Sequence, residues 1–197
     1  MAKTKWVYFF GGKKAEAGEK LRNLVGGKGA GLADMVNLGI PVPPGFTITT
    51  EACVYFYQNN MAFPEGLKEQ VIENMKKVEK VMGMGFGDQK NPLLFSVRSG
   101  ARVSMPGMMD TVLNLGLNDK TVKGLATLTG NERFAYDCYR RFVQMYGDVV
   151  LGLKPKEKDE RDPFEEIIEA KKKEKKVELD TDPTVDDLKD HVALFKK

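Results

Sequence analysis

The chain has 197 residues, of which 42% are apolar and 30% are charged, and its formal net charge is +3. This length suits one or two domains, and this composition excludes a chain that is disordered throughout. No apolar run approaches the roughly 20 residues that a membrane-spanning helix requires, and the first residues do not resemble a secretory signal. The charges are too balanced to predict a nucleic-acid partner.

The positions of the charged residues, the cysteines and the histidine predict further properties of the chain. Residues 1–30 contain seven Lys or Arg and two acids, an excess that favours a phosphate-bearing ligand. Cys53 and Cys138 lie 85 positions apart, each in an apolar helical pattern, which predicts reduced, buried thiols in a cytoplasmic protein. The single histidine, His191, lies in a helical pattern of mixed polarity, where we predict an exposed surface residue.

The first part of the chain alternates between strand and helix patterns. In chain order we predict a strand at 5–10, a glycine-rich loop leading into a helix that stops at Gly39, a strand at 46–49, a helix capped by Thr50, an amphipathic helix at 67–82, a largely buried strand at 93–97 and a strand at 112–115.

From about Leu117 onward the patterns are helical. We predict a long helix capped by Asn131, a second helix at 164–173 entered through Pro163, and a third opened by Thr184 and Asp187 as a capping box. On the long helix, one face is predicted from Phe134, Cys138, Phe142, Met145 and Val149. The third helix reaches Lys197 without a stop signal, from which we expect the chain to be part of a longer one. The predicted class is α+β, with a mixed part at 1–117 and a mainly helical part at 118–197.

The first candidate for chemistry is the glycine-rich segment 26–31, which contains Lys28. Glycines let the backbone approach an anion closely, and N–H groups at the start of a helix favour negative charge. The segment is not a Walker A loop, because Arg22 and Gly29 stand where that motif needs Gly and then Ser or Thr. It also fails the dinucleotide pattern GxGxxG, whose last glycine would fall at Asp34. A flexible loop before a helix is an equally good interpretation of the local pattern.

Two further segments carry polar groups next to predicted strands. Arg98 follows a predicted buried strand, a position that fits a guanidinium fork for phosphate, although a structural arginine bonding loop carbonyls is an equal alternative. In the segment 104–114, two methionines precede Asp110 and Thr111. Core methionines beside a turn explain that segment more simply, and the single carboxylate of Asp110 does not make a metal site. For the arginines at 133, 140 and 141, pairing with Glu132 and Asp137 on the helix surface is the commoner explanation.

In combination these segments resemble the N-terminal, nucleotide-binding part of the pyruvate, phosphate dikinase family. The resemblance runs through KWVYFF, NLVGGKGAGLADMVNLGIPVPPGFTITTEAC, FGDQKNPLLFSVRSGARVSMPGMMDTVLNLGLND and TGNERFAYDCYRRFVQMYGDVV, and so through essentially the whole chain. Phosphoenolpyruvate synthases and rifampin phosphotransferases share the order GGKGA, VPPGF, VRS. They usually continue VRSSATAEDLP, however, where this chain has VRSGARVSMPGMMDT, and this difference favours the dikinase.

The resemblance implies an ATP-grasp-like first subdomain followed by a helical one. It also implies an enzyme that interconverts ATP, phosphate and pyruvate with AMP, pyrophosphate and phosphoenolpyruvate through a phosphohistidine on a swivelling domain. By position, Lys28 and Arg98 would contact the ATP phosphates, and Gly27, Gly107, Met109 and Thr111 would line the nucleotide site. The parent enzyme is expected to be a cytoplasmic homodimer that needs Mg²⁺, with no nucleic-acid or membrane partner.

The chain also departs from the family pattern. Nothing in it matches the TSHAA-like carrier-histidine motif, and His191 does not correspond to it. The magnesium-binding acids and the pyruvate-binding barrel are missing as well. We therefore expect no dikinase activity from this chain alone and weak or no ATP binding. A related swivelling phosphotransferase with another acceptor, similar to phosphoenolpyruvate synthase, and a standalone nucleotide-binding module are the alternatives.

Overall fold

The computed structural model describes residues 4–100, 110–153, 155, 161–175 and 183–197. Within these residues the chain forms two compact units. The first contains residues 4–84 and 99–100, and the second contains 85–98 together with the described residues from Asp110 onward. Each unit combines helices with antiparallel strands, which confirms the α+β class. The division into domains at residue 117 stays a prediction.

An antiparallel sheet in the order β2-β1-β3 forms the framework of the first unit. Its strands are β1 (Val7–Gly11), β2 (Lys14–Ala15) and β3 (Gly45–Ile48). The pairing of β1 with β3 runs from Val7 opposite Ile48 to Phe10 opposite Gly45. A Cβ atom at position 45 would lie 2.6 Å from Cζ of Phe10, so the ring requires a glycine opposite it. The strands predicted at 5–10 and 46–49 are confirmed, with ends that differ by one or two residues.

Three helices accompany this sheet: α1 (Arg22–Asn37), α2 (Thr50–Gln58) and α3 (Leu67–Met82). The amphipathic pattern predicted α3 with its observed bounds. The core of the unit is formed by buried residues from β1, α2 and α3 with partly buried neighbours, namely Val7, Ala52 and Leu67 with Trp6, Phe46 and Val71. Met82, the last residue of α3, is 42% exposed.

The cap of α2 is Thr49, one residue before the predicted Thr50. The Thr49 hydroxyl accepts a hydrogen bond from the N–H of Ala52 at 3.2 Å, and Thr49 has the extended backbone typical of a cap. The hydroxyl of Thr50 instead donates to the carbonyl oxygen of Asn23 at 2.9 Å. Either threonine suits a cap chemically, so the choice depends on where the strand before it ends.

The second unit packs a two-stranded ribbon with four helices. The elements are β4 (Phe95–Arg98), β5 (Thr111–Leu115), α4 (Thr121–Thr129), α5 (Glu132–Val149), α6 (Pro163–Lys175) and α7 (Val185–Phe195). The buried core lies between β5 and the helices α4, α5 and α7, and it contains Leu117, Val122, Ala135, Tyr139 and Val192. Among the described residues no helix is long and apolar enough to cross a lipid bilayer.

The predicted helix caps of this unit are confirmed. The side chain of Asn131 accepts from the N–H of Phe134 at 2.9 Å, and Thr184 with Asp187 forms a reciprocal capping box. The buried residues of α5 are Ala135, Tyr139 and Gly147, whereas Phe134, the first residue of the predicted apolar face, is 48% exposed. The helix packs against three elements at once, and a single apolar stripe does not specify which neighbour it meets.

Three predictions about burial were wrong. His191 is buried, with 2% of its surface exposed, because α7 packs between α5 and α6 in the core of the second unit. Cys53 is exposed, since α2 buries only Ala52 against the sheet. The strand predicted at 93–97 is buried only at its first residue and is exposed at Ser96 and Val97, because β4 and β5 form a ribbon of only two strands among the described residues.

Candidate functional site

The glycine-rich segment lies inside α1, which is interrupted at Gly26. Gly26 has φ 74° and ψ 166°, a conformation that side chains other than glycine rarely adopt. A second helical segment starts after this break, and its first N–H groups are those of Gly27, Lys28 and Gly29. These N–H groups and the helix dipole favour an anion at this position. The predicted loop before a helix is therefore a break within a helix.

The half-buried Lys28 extends from this break. Its Nζ donates a hydrogen bond to the backbone carbonyl oxygen of Ser99 at 3.2 Å. No carboxylate among the described residues forms an ion pair with Lys28, so its charge is available to a ligand. Ser99 follows Arg98 directly in the sequence.

The glycines after the break differ in what they contact. A Cβ atom at Gly29 would lie 3.0 Å from both Oγ1 and Cγ2 of Thr47, so this glycine lets α1 approach β3 closely. A Cβ atom at Gly31 would meet no atom within 4 Å. Gly29 is therefore needed for packing, whereas a larger side chain could be accommodated at position 31.

In the second unit, Arg98 and Thr111 lie opposite each other at the open end of the β4–β5 ribbon. Arg98 is exposed, Thr111 is half-buried, and the structure thus brings together two of the residues predicted to contact a nucleotide. Among the described residues the Arg98 guanidinium makes no hydrogen bond or ion pair. The other described arginines have partners, which are Glu19 for Arg22, the carbonyl oxygen of Pro183 for Arg133, Asp137 for Arg140 and Arg141, and Glu166 for Arg161.

A β-bulge sets the register that pairs Arg98 with Thr111. Phe95 lies opposite Leu115 and Val97 opposite Val112, so two residues of β5 stand against one of β4. Asn114 lies in this bulge with φ 60°, a conformation that asparagine tolerates better than most residues. Its Nδ2 donates to the carbonyl oxygen of Cys138 on α5 at 3.3 Å. Sequence reasoning missed Asn114, because only the observed φ marks it.

Two predicted site residues, Gly107 and Met109, lie outside the described residues, as does most of the methionine-containing segment. Asp110 is described and exposed. In the described ranges no group of three or more His, Cys, Asp or Glu side chains could hold a metal ion.

The first part of the chain matches a known family of domains. Residues 22–78 match the family model for "Pyruvate phosphate dikinase, AMP/ATP-binding domain", and this segment includes Gly27 and Lys28. The match defines the class of the chain as part of an AMP- or ATP-binding domain.

Full-length relatives identify the family. The chain is 54% identical over 193 residues to pyruvate, phosphate dikinase of Clostridium symbiosum, covering 98% of this chain and 21% of the relative. It is 52% identical over 197 residues to the Giardia intestinalis enzyme, with 98% and 22% covered, and 51% identical over 192 residues to the chloroplastic enzyme of Flaveria pringlei, with 98% and 19% covered. The chain belongs to the pyruvate, phosphate dikinase family, and it spans about a fifth of the length of these relatives.

Proposed function

We propose that this chain forms one wall of an ATP site in which Lys28 and Arg98 contact the phosphates and Gly27, Gly107, Met109 and Thr111 line the nucleotide. The observation that carries the proposal is the exposed Arg98 guanidinium, which has no protein partner among the described residues. Arg98 ends a strand whose register holds it beside Thr111, so its backbone is fixed while its charge stays open to a ligand. A guanidinium held in this way suits bidentate contact with phosphate oxygens.

The glycine-rich break supplies the second group of donors. Gly27, Lys28 and Gly29 would present backbone N–H groups to a phosphate, and the Lys28 ammonium would add a full charge. In phosphoryl transfer the protein acts mainly by positioning the phosphates and stabilising the charge that develops on them. Positive side chains that have no carboxylate partner among the described residues suit that requirement. We infer an ATP-grasp-like arrangement for this part, which rests on the family resemblance.

We further propose that the parent enzyme interconverts ATP, phosphate and pyruvate with AMP, pyrophosphate and phosphoenolpyruvate, using a phosphohistidine on another domain. The relatives named as dikinases support this, and each is about five times the length of the aligned segment. The carrier-histidine domain and the pyruvate-binding domain are the proposed partners, together with a second copy of the full-length enzyme in a cytoplasmic homodimer. We place the Mg²⁺ ligands outside the described residues.

Amide-resolved NMR tests where the phosphates bind. On titration with ATP, and separately with tripolyphosphate, we expect the amide signals of Gly27, Lys28 and Arg98 to shift, even if binding is only millimolar. Adenosine, which lacks phosphates, serves as the control and should leave the signals of Lys28 and Arg98 in place. Shifts of these two signals by adenosine as large as those by ATP, or phosphate-induced shifts confined to other segments, would contradict the proposal.

A turnover assay tests whether this chain is inactive without the rest of the enzyme. Incubated with ATP, Mg²⁺, phosphate and pyruvate, the pure chain should form no phosphoenolpyruvate, because the sequence lacks the carrier-histidine motif. Measurable phosphoenolpyruvate formation by the pure chain would refute this part of the proposal.

A further inference from the structure

The hydroxyl group of Thr50 connects α2 to α1 next to the break at Gly26. Its Oγ1 donates a hydrogen bond to the backbone carbonyl oxygen of Asn23 at 2.9 Å. Asn23 lies in the single helical turn of α1 that precedes the break, and Thr50 is the first residue of α2. The contact therefore joins two helices of the first unit at the point where the proposed phosphate site begins.

The carbonyl group of Asn23 is one that the break deprives of a helical partner. In a continuous α-helix it would accept a hydrogen bond from the N–H of Gly27, four residues later. With Gly26 at φ 74° and ψ 166°, that bond cannot have helical geometry. The Thr50 hydroxyl takes the place of the Gly27 N–H, so the carbonyl is satisfied while the N–H group remains for a ligand.

The broken helix has a competing conformation, because a glycine at position 26 adopts helical angles as well as the observed ones. In the continuous form, the N–H groups of Gly27 and Lys28 would bond carbonyl oxygens of the preceding turn. Both donors would then be lost to a phosphate. A hydrogen bond from another element to the Asn23 carbonyl favours the broken form, and Thr50 supplies that bond.

The helical segment after the break is held by a separate contact with the same part of the chain. A Cβ atom at Gly29 would lie 3.0 Å from Oγ1 and Cγ2 of Thr47, so the segment lies closely against β3. Thr47 and Thr50 thus contact α1 on opposite sides of the break. Loss of the Thr50 bond should therefore change the break without separating α1 from the sheet.

The surroundings of this bond point to a nucleotide phosphate as the ligand. The match to an AMP/ATP-binding domain covers residues 22–78 and so includes both Asn23 and Thr50. Lys28, two residues after the break, forms no ion pair with a carboxylate among the described residues. The donors that the break exposes and a lysine charge therefore lie within three consecutive residues of a nucleotide-binding segment.

We propose that Thr50 is a positioning residue for the phosphate site. Its hydroxyl occupies the Asn23 carbonyl, keeps α1 broken at Gly26, and so keeps the N–H groups after the break available to phosphate oxygens. Thr50 acts through the backbone of α1 and does not touch the nucleotide. The inference rests on the proposed ATP site and adds to it a residue of another helix.

Titration with tripolyphosphate, followed through the amide signals of Gly27 and Lys28, tests this role. Thr50→Val keeps the shape of the side chain but removes the donor, and it should weaken binding by about two- to tenfold, as for loss of one neutral hydrogen bond. Thr50→Ser keeps the hydroxyl and should bind as tightly as wild type. Thr127→Val is the matched control, because it removes a 3.0 Å bond from a threonine hydroxyl to the carbonyl of Lys123 on α4, and it should leave affinity unchanged.

Unfolding measurements on the same variants separate positioning from general stability. Thr49→Ala removes the cap of α2 and should lower the free energy of unfolding more than Thr50→Val does, yet weaken tripolyphosphate binding less. The opposite order of affinities would show a merely structural role and overturn the proposal.

The titration also distinguishes failure of this inference from failure of the ATP site. If the wild-type signals of Gly27 and Lys28 do not respond to tripolyphosphate, the ATP site and this inference both fail. If they respond but Thr50→Val binds as tightly as wild type, or Thr50→Ser binds as weakly as Thr50→Val, this inference alone is overturned.

Discussion

Burial of His191 predicts how the stability of this chain depends on pH. The ordinary pKa of histidine is 6.5, and burial, followed by the nearby Arg140, lowers the pKa of His191 in the folded state. Between that lowered value and pH 6.5 the unfolded chain binds one more proton than the folded chain. Stability therefore falls as the pH is lowered through this window, and the contribution of His191 is complete above pH 6.5.

The size of the effect follows from proton linkage. While the folded-state ring stays neutral, each pH unit below 6.5 removes up to about 1.4 kcal/mol from the free energy of unfolding. The His191→Leu variant lacks this titration and keeps an apolar group beside Phe195, whose ring lies parallel to His191 at 6.0 Å. Because the chain has no other histidine, the difference between the two proteins isolates this one group.

Chemical denaturation from pH 5 to 7.5, in a buffer without phosphate, measures this difference. We expect the wild-type free energy of unfolding to fall more steeply than that of His191→Leu below pH 6.5. His191→Gln, which keeps a polar side chain but does not titrate, should follow the leucine variant. Equal slopes for wild type and both variants would refute a buried, neutral His191.

Three further comparisons test the packing. Gly124→Ala should destabilise the chain by about 2–3 kcal/mol, because its Cβ would lie 2.1 Å from the backbone oxygen of Gln89. Gly31→Ala should instead stabilise it by roughly 0.5–1 kcal/mol, since this glycine lies in a helix and its Cβ would meet nothing within 4 Å. A similar effect of both substitutions in thermal unfolding would contradict the structure. Thr49→Ala should lower the free energy of unfolding by about 1–2 kcal/mol through loss of the α2 cap, which is a larger loss than Thr50→Ala should cause. The reverse order would show that Thr50 is the cap. Asn114→Gly should retain the bulge, whereas Asn114→Val should lower the free energy of unfolding by about 1–3 kcal/mol, because a β-branched residue does not tolerate φ 60°. Equal stability of the two variants in urea denaturation would refute the bulge.

Local sequence signals predicted the elements that depend on neighbouring residues alone. The period of α3, the Asn131 cap and the capping box of Thr184 and Asp187 are all specified within one or two helical turns. The errors concern contacts between distant segments. His191 lies in a helix of mixed polarity, and only the packing of α5 and α6 around it makes it buried. Cys53 is exposed for the converse reason, because Ala52 is the only residue of α2 that the packing buries.

The same distinction between local signals and features that the sequence does not specify applies to the candidate site. Residue type and order indicated Lys28 and Arg98, since glycines before a lysine and an arginine after a strand are local patterns. The break at Gly26 and the bulge at Asn114 could not be predicted, because each depends on a backbone angle that the sequence permits but does not require. The pairing of Arg98 with Thr111 depends on that bulge, since shifting the register by one residue would move side chains to the other face of the ribbon.

The most direct test of the central claim is the affinity of this chain for ATP·Mg, measured by calorimetry or, if binding is weak, by NMR titration. Lys28→Ala and Arg98→Ala are the test variants, and Arg22→Ala, at an exposed arginine of the first unit, is the matched control. We expect Lys28→Ala and Arg98→Ala each to weaken binding by about tenfold or more, as for loss of a charge-assisted hydrogen bond, and Arg22→Ala to leave it unchanged. Equal affinity in all four proteins would contradict a phosphate site built on Lys28 and Arg98.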